Sequence, residues 1–238
     1  MRIVSWNMNA QGLTKRHALA WTFLLDELQP DVALLQEVVP PADVVPGYKH
    51  AFTRAWDDQA WGSAVLCTAD DMELRWEHRV RGAVVLVDTL VPGFGPASIA
   101  SVHARVVDRR VIPSLRQTLD DLQPRLRPRY IVGGDLNTAR AAADAWPANG
   151  HREFWEEVDS TWGLHEHLPE GGHERQSYWR EWHRGQVPTI GNSLQDDHVF
   201  LDATTFAQPA RCRVWDTKQV RDLSDHGPIV VDVDLRGA

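Results

Sequence analysis

The apolar positions near the N-terminus change their spacing from one segment to the next. Residues 2–6 form a short apolar run that predicts a strand. The apolar residues that follow recur at helical spacing and predict one face of a helix: Trp21, Leu24, Leu25 and Leu28. Gln29 and Pro30 end that helix, and the apolar run at 31–37 has the length of a buried strand that ends in a carboxylate. The chain therefore begins with a predicted strand, helix and strand.

The middle of the chain predicts several strands and a second helix. Apolar runs at 63–67, 82–91 and 99–107 indicate strands separated by turns, and His103 falls inside the last of them. Apolar residues then return at helical spacing until Pro128 stops them: Ile112, Leu115, Leu119, Leu122 and Leu126. A further buried strand is expected at 130–135, again with an acid at its end.

Periodicity is weak between residues 139 and 192, and strands are predicted again only at 198–201 and 229–233. His165 and His167 would share one face of a strand, but solvated side chains are a better expectation for them than a second metal site. The aromatic residues of this stretch fit two roles equally, stacking on unpaired bases or packing in the core: Trp146, Trp155, Trp162, Tyr178, Trp179 and Trp182.

Composition limits the classes of protein to consider. A chain of 238 residues with 43% hydrophobic and 24% charged residues is expected to form a single domain over 1–238. Cys67 and Cys212 fit neither a zinc site nor a disulfide framework, so two reduced thiols are expected. No segment has the ~18 apolar residues of a membrane span or the apolar core of a leader peptide, which predicts a cytoplasmic protein. Nothing in the sequence indicates an obligate protein partner.

The net charge of −8 and the isoelectric point of about 5.7 argue against a protein that coats nucleic acid through a basic surface. They do not exclude a nuclease. A site built from carboxylates around a divalent cation is itself acidic, and a few local arginines are enough to hold phosphates.

Polar side chains follow several of the predicted strands: Asn7, Glu37, Asp135 with Asn137, and Asp225 with His226. Strand ends are where α/β sheets place their sites. Amide and carboxylate oxygens are hard ligands that suit magnesium or manganese, whereas no Cys and His set suited to zinc is present. Phosphoester hydrolysis needs such a cation, a base or anion to prepare water, and donors for the developing charge. Each residue alone is better explained by a turn, a cap or a core histidine, so only their concurrence is informative.

Seven short stretches contain these residues in order: Ile3-Val-Ser-Trp-Asn7, Leu34-Leu-Gln-Glu37, Ser101-Val-His103, Gly133-Gly-Asp-Leu-Asn137, Ser177-Tyr-Trp179, Asp197-His-Val-Phe200 and Ser224-Asp-His226. Together they resemble the endonuclease/exonuclease/phosphatase superfamily over nearly the whole chain. The resemblance implies an α/β fold of the deoxyribonuclease I type, a four-layer sandwich of two packed mixed β-sheets flanked by helices. It places the site in the cleft at the sheet edges.

The resemblance also implies a metal site. Asn7 and Glu37 would hold a magnesium ion, with Asp225 as a further ligand and manganese as an alternative cation. Tyr178 and Trp179 keep an aromatic pair found in this superfamily and are expected to bind the substrate.

Five further residues are implied to act on the phosphate. Asp135 would position or deprotonate the attacking water, and Asn137 and His103 would donate to the scissile phosphate. His226 would contact the phosphate from the opposite side, as a base or as a protonated stabiliser. Asp197 would orient His226, as the third group of a catalytic triad does. The resemblance leaves open whether Asp135 or His226 is the base.

The substrate is less narrowly implied. Abasic-site nucleases of the superfamily have an aromatic and an apolar residue where this chain has Leu194, Gln195 and Asp196, so abasic-site cleavage is disfavoured. His103, where those nucleases typically have Tyr, favours the deoxyribonuclease I, sphingomyelinase and phosphatase branches. We expect a magnesium-dependent phosphodiesterase with DNA or RNA as its partner and substrate.

Two alternatives stay open. One is a phosphomonoesterase or lipid-headgroup phosphodiesterase that acts on a small phosphoester such as a sugar phosphate, an inositol phosphate or sphingomyelin. The other is an inactive binding module, against which the presence of every catalytic residue type argues.

Overall fold

A computed structural model describes residues 1–10, 14–41, 46–55, 59–79, 82–108, 110–140, 150–169, 177 and 195–236. Within these residues, twelve strands form two six-stranded sheets. The first sheet has the order β11-β12-β1-β2-β4-β3, and its strands are β1 (Arg2–Asn7), β2 (Val32–Val38), β3 (Lys49–Arg54), β4 (Gly62–Cys67), β11 (Ala210–Val214) and β12 (Ile229–Val233).

The second sheet has the order β5-β6-β7-β8-β10-β9. Its strands are β5 (Met72–His78), β6 (Gly82–Val91), β7 (Gly95–Ala104), β8 (Tyr130–Asp135), β9 (His165–Glu166) and β10 (Asp197–Leu201). Each sheet is mixed, because β1 runs parallel to β2 and β7 runs parallel to β8 while the other neighbours are antiparallel.

Helices cover the outer face of each sheet. The first sheet packs on α1 (Thr14–Thr22), a π-helical turn (Phe23–Leu28) and α5 (Lys218–Leu223). The second sheet packs on α2 (Ile112–Leu122), which continues into a 3₁₀ turn (Gln123–Arg125), and on α3 (His151–Ser160). A short helix, α4 (Ala203–Phe206), follows β10.

Three large hydrophobic clusters lie between these layers. Successive residues of a strand point to opposite faces, so Ile3 belongs to the cluster between the sheets while Val4 belongs to the cluster under the helices. The same alternation divides Ile99 from Ala100 in the second sheet. The four-layer sandwich of two packed mixed sheets is therefore confirmed.

Most of the predicted elements are also confirmed, and the strands at 82–91, 130–135 and 229–233 have the predicted bounds. The strand expected at 99–107 was wrong in its bounds, since it spans Gly95–Ala104. Residues 95–98 extend the pairing with β6, whereas 105–107 leave the sheet and are exposed.

Several elements were missed because they bury too few side chains to form an apolar run. The strands β3 and β5 lie at sheet edges and alternate with exposed, often charged residues. Strand β11 is also an edge strand, and α3 buries only one narrow face between residues 151 and 158. None of the helices in the described part of the chain is long and apolar enough to cross a membrane.

Two consecutive glycines permit close packing of the neighbouring strands at the C-terminal end of β8. A Cβ on Gly134 would lie 1.9 Å from the carbonyl oxygen of Val102, and φ at Gly134 is +140°. A Cβ on Gly133 would lie 2.3 Å from the carbonyl oxygen of His198. Glycine at both positions therefore lets β7 and β10 pair with β8 up to Asp135.

Candidate active site

Polar residues from both sheets meet at one end of the sandwich. In the second sheet, the register places Asp135 opposite His103 of β7 and opposite Asp197 of β10. In the first sheet, Asn7 ends β1 and Glu37 lies near the end of its parallel neighbour β2. The Asn7 Nδ2 donates to the Asp135 Oδ2 at 2.9 Å, so the two sheets are joined at this point.

Backbone strain is concentrated at this end of the sheets. Five non-glycine residues of the described chain have positive φ, and three of them are here: Asn9 at 46°, Glu37 at 45° and Asn137 at 51°. A register irregularity between Leu35 and Val38 accompanies Glu37, as expected of a bulge that redirects one side chain. Such conformations cost about 1–3 kcal/mol each and are found where function requires a particular side-chain direction.

Asp135 is the residue on which most of these contacts converge. Besides accepting from Asn7, its Oδ1 accepts from the backbone N–H of Asn137 at 2.9 Å. The Nε2 atoms of His103 and His226 lie 3.7 and 3.9 Å from its Oδ2. A buried carboxylate between two imidazoles is suited to hold a water molecule or to accept its proton.

Asp197 and His226 form a buried hydrogen-bonded pair, with 2.8 Å between Asp197 Oδ2 and His226 Nδ1. Ser177 Oγ donates to the same carboxylate oxygen at 2.7 Å. The backbone of His226 is held as well, because its carbonyl accepts from Trp6 Nε1 and its N–H donates to Ser224 Oγ. This arrangement directs Nε2 of His226 toward Asp135.

The charge state of His226 follows from these neighbours. Burial by itself lowers the pKa of an imidazole, but the charge and hydrogen bond of Asp197, with the charges of Asp135 and Asp225, raise the pKa of His226 to about 10. The metal-free protein therefore favours the imidazolium form at neutral pH.

The two predicted phosphate donors are both present at the site. Asn137 Nδ2 donates to the carbonyl oxygen of Ala104 at 2.9 Å, which fixes the direction of its amide. His103 Nε2 lies 3.8 Å from Glu37 Oε1 and 3.7 Å from Asp135 Oδ2, too far for a hydrogen bond to either. Its ring packs against Trp61 with centroids 5.8 Å apart.

The donor set fits a hard divalent cation. Burial raises the pKa of Glu37, the charge of His103 opposes this effect, and the charge of Asp135 adds to it. The ionised form of Glu37 is therefore unfavourable at this end of the sheets without a counter-ion. Asp225 accepts from Asn9 Nδ2 at 2.7 Å. Among the described residues, no three His, Cys, Asp or Glu side chains form a metal-binding cluster. The predicted ligands instead combine the amide of Asn7 with carboxylates, which are oxygen donors of the kind that magnesium takes.

The sequence analysis assigned no catalytic, metal-binding or substrate-binding role to three polar residues that lie at the site: Asn9, Ser177 and Asp196. Asn9 bridges Asn7 and Asp225, since its N–H donates to the Asn7 Oδ1 at 3.0 Å. Asp196 is half-buried, and its pKa is raised to about 7 by burial and then by the charge of Asp135. A signal for all three existed, because each lies within two residues of a predicted site residue.

The aromatic and histidine-rich stretch is only partly described. Tyr178 and Trp179, predicted to bind substrate, lie outside the described residues, as do Trp146 and Trp182. The other two tryptophans pack in the core between the helices and the second sheet: Trp155 and Trp162.

His165 and His167 were expected to be solvated, but both are half-buried against the ring of Phe206. His165 Nδ1 also bonds Asp159 at 2.7 Å. The expectation of solvated side chains was therefore wrong for both rings.

The sequence profile of the Endonuclease/Exonuclease/phosphatase family matches residues 4–226. Comparison with the curated proteins gave no match. Among solved structures, a 3′-5′ exonuclease (NExo) from Neisseria meningitidis superposes with a TM-score of 0.70 at 18% identity, covering 98% of this chain and 100% of that one.

Two other solved structures superpose over similar lengths. A structure named as the 3′ phosphatase NExo from Neisseria, bound to a product DNA hairpin, has a TM-score of 0.67 at 18% identity, covering 98% of this chain and 99% of that one. An AP endonuclease from Archaeoglobus fulgidus has a TM-score of 0.66 at 16% identity, with coverage of 98% and 99%. At identities of 16 to 18%, these structural similarities show the fold of this chain.

Proposed function

The chain belongs to the endonuclease/exonuclease/phosphatase family, whose members hydrolyse phosphoester bonds, and we propose that it is a magnesium-dependent phosphodiesterase that cleaves nucleic acid. The observation that supports a hydrolytic site most directly is the convergence on Asp135. Asn7, His103 and His226 each place a nitrogen within 3.9 Å of one of its oxygens. No single strand or motif accounts for that convergence.

Each side chain has a defined part in this proposal. Asp135 takes the proton of the attacking water, and Asn7 holds its carboxylate in place. His226, whose raised pKa favours the imidazolium, stabilises the phosphate. His103 and Asn137 donate to the phosphate oxygens, where negative charge develops. Asp197 keeps Nε2 of His226 directed toward the reacting phosphate.

The metal belongs to the same proposal. Enzymes of the family generally depend on a divalent metal ion. Asn7 and Glu37, with Asp225, would hold magnesium or manganese here. When bound, the ion supplies polarisation of a phosphoryl oxygen and neutralises negative charge.

Nucleic acid is the favoured substrate because cationic and apolar side chains are exposed just after His103 in the chain. Strand β7 leads from His103 into an exposed segment that contains Arg105, Val106, Val107 and Arg110. Cationic and apolar side chains next to a hydrolytic site suit a substrate that continues past the scissile bond. The Neisseria relative named above was solved with a DNA product, which agrees with this choice.

A phosphomonoesterase acting on a small phosphoester is the second candidate, and Asp196 favours it. This half-buried carboxyl lies near Asp135 and His226. At that place it is better suited to hydrogen-bond a hydroxyl group of a substrate than to contact the apolar face of a sugar. We also propose that the chain acts as one domain, and a cytoplasmic location stays a prediction.

The test is hydrolysis by the purified protein with magnesium or manganese, and with EDTA as the metal-free control. The substrates are single- and double-stranded DNA, RNA, bis-p-nitrophenyl phosphate and p-nitrophenyl phosphate. We expect metal-dependent cleavage of a polynucleotide and of the diester. Cleavage of the monoester alone would establish the second candidate, and no cleavage of any substrate would contradict both.

The matched variant is Asp135→Ala. We expect it to lose hydrolysis while retaining the circular dichroism spectrum of the wild type, because Asp135 is required for the reaction rather than for the core. Turnover retained in a clean preparation of Asp135→Ala would show that the site assignment is wrong.

A further inference from the structure

A second group of buried charged residues lies behind the candidate site, in the second sheet. Glu166 of β9 and His198 of β10 face each other with 2.8 Å between Glu166 Oε1 and His198 Nδ1. The side chain of Glu166 is 1% exposed and that of His198 is 0% exposed. Ionisable groups are seldom buried to this extent without a partner, and the roles proposed above use neither residue.

The hydrogen bonds of Glu166 indicate that it is ionised. Its Oε1 also accepts from Gln195 Nε2 at 3.2 Å, and its Oε2 accepts from Arg140 Nε at 3.3 Å. Both oxygens therefore face donors, one of which is a guanidinium. A neighbouring positive charge favours the carboxylate over the carboxylic acid.

Both ring nitrogens of His198 face acceptors. Nδ1 faces the Glu166 carboxylate, and Nε2 lies 2.9 Å from the backbone carbonyl oxygen of Thr138. A carbonyl oxygen only accepts, and so does an ionised carboxylate, so both nitrogens must carry hydrogen. The ring also lies beside two aromatic rings, with centroid distances of 4.8 Å to Trp155 and 5.8 Å to Phe200. Aromatic faces accommodate a cation.

These contacts join the two chain segments that present the candidate catalytic residues. Thr138, which accepts from His198, is three residues after Asp135 and adjacent to Asn137. Gln195, which donates to Glu166, is two residues before Asp197. The Glu166–His198 pair therefore lies where a small movement would displace residues of both segments.

We propose that His198 is a buried imidazolium, held by Glu166, and that the pair positions the loop after Asp135 against the segment before Asp197. The positioning part rests on the proposed function. The charge state of His198 does not, because it follows from the hydrogen bonds alone.

Glu166→Gln is the informative variant. A glutamine amide can donate to Nδ1 of His198, which leaves a neutral ring still donating from Nε2 to Thr138. The charge pair is lost, and the carbonyl oxygen of the new side chain still accepts from Arg140. Gln195 keeps a partner when its amide turns to present its oxygen instead of its nitrogen, so we expect the variant to fold. A displacement of about 1 Å at a reacting group costs up to about 100-fold in rate, and we expect kcat for bis-p-nitrophenyl phosphate with manganese to fall about 10-fold with little change in KM.

The matched control is Asp159→Asn. It alters a carboxylate–histidine pair of similar length, between Asp159 and His165, in which the Asp159 side chain is 68% exposed. His165 is next to Glu166 in β9, so the control tests any general effect of changing this strand. We expect turnover within twofold of the wild type.

The charge state is measured by NMR of protein labelled with ¹⁵N at histidine, at pH 8. We expect one ring with both nitrogens protonated to become neutral in Glu166→Gln and to stay protonated in Asp159→Asn. A spectrum in which Glu166→Gln changes no imidazolium would overturn the charge assignment, and an unchanged kcat in a folded Glu166→Gln would overturn the positioning role. If the wild type cleaves no substrate, the proposed function fails, and the NMR result still decides whether His198 is an imidazolium.

Discussion

At the residue scale, two adjacent carboxyls at the start of β10 differ in their surroundings. Asp197 is fully buried and accepts hydrogen bonds from His226 and Ser177. Asp196 is half-buried and carries a pKa raised to about 7 by burial and by Asp135. Asp197 therefore has hydrogen bonds that a substitution would disturb, whereas burial disfavours the ionised form of Asp196. Asparagine should affect the two positions differently.

Asp197→Asn is expected to lower kcat by about 100- to 10,000-fold, the range for loss of the carboxylate that orients a catalytic histidine. Removing the charge also lowers the pKa of His226 and so disfavours the imidazolium that would stabilise the phosphate. The measurement is steady-state hydrolysis of bis-p-nitrophenyl phosphate with manganese.

The control for Asp197→Asn is Asp202→Asn at the other end of β10. Asp202 caps α4 by accepting from the N–H groups of Thr204 and Thr205, and asparagine caps about equally well. The change removes only the acceptor for Thr205 Oγ1, so it should reduce stability slightly with little effect on kcat. Equal turnover in Asp197→Asn and the wild type would contradict the role of the pair.

Asp196→Asn is expected to stabilise the metal-free protein above about pH 7 and to have little effect near pH 4. The wild-type carboxyl stays protonated in the folded state up to about pH 7 but ionises near 3.8 in the unfolded state. Wild-type stability therefore falls as pH rises from about 4 to 7, and asparagine removes that loss. The expected gain is on the order of 2–4 kcal/mol.

Urea denaturation in EDTA at pH 4.5 and pH 8 tests this prediction for Asp196. The difference in unfolding free energy between variant and wild type should be larger at pH 8. The same difference at both pH values would show that the pKa of Asp196 is not raised.

At the element scale, the end of β8 determines how closely the strands approach the site. Its final residues pair with β7 on one side and β10 on the other, and glycine at 133 and 134 leaves room for both backbones. The bulge in β2 has a comparable effect in the first sheet, since it accompanies the positive φ of Glu37. The direction of the site residues therefore depends on irregular strand ends as much as on regular pairing.

Gly134→Ala is expected to destabilise the protein by more than about 4 kcal/mol or to prevent folding, because backbone atoms of β7 leave no room for a Cβ. Gly93→Ala is the control. Gly93 has φ of +72° but nothing within 4 Å of an added Cβ, so it should cost only about 1 kcal/mol of backbone strain. Thermal denaturation of both variants gives the comparison, and similar melting temperatures would contradict the steric argument.

At the scale of the whole molecule, the site is assembled from residues 7 to 226, and both sheets contribute to it. The cluster between the sheets contains residues from both halves of the chain, including Cys67 of β4 and Cys212 of β11. Formation of that core and formation of the site should therefore be a single event.

The two thiols offer a measurement of that event. Cys67 and Cys212 are free and buried, and burial raises the pKa of Cys67 to about 12 and raises the pKa of Cys212. A thiol reagent at pH 8 should react with neither in the native protein and with both in urea. Loss of hydrolysis and exposure of thiols should follow the same denaturation curve, whereas fast labelling of a native, active sample would contradict this expectation.

The linear pattern of apolar and polar residues is enough to predict the buried strands, the two amphipathic helices and the polar residue types at the strand ends. Apolar runs such as 82–91 and 229–233 are set by the need to bury both faces of a central strand, and that need is visible in the sequence alone. The polar residues at 7, 37, 135 and 226 follow predicted strands, but only the resemblance to the family gave them roles and added Asp197.

The edge strands and the contacts among the polar residues depend on how the sheets pack. Strands such as β3 and β5 are stabilised by pairing with a neighbour rather than by their own apolar residues, so they leave little pattern in the sequence. The bridge by Asn9 and the buried Glu166–His198 pair depend on contacts between residues far apart in the chain. The raised pKa of Asp196 depends mainly on its burial. Hydrogen bonding and desolvation act through space, and a linear sequence does not specify them until the sheets pack.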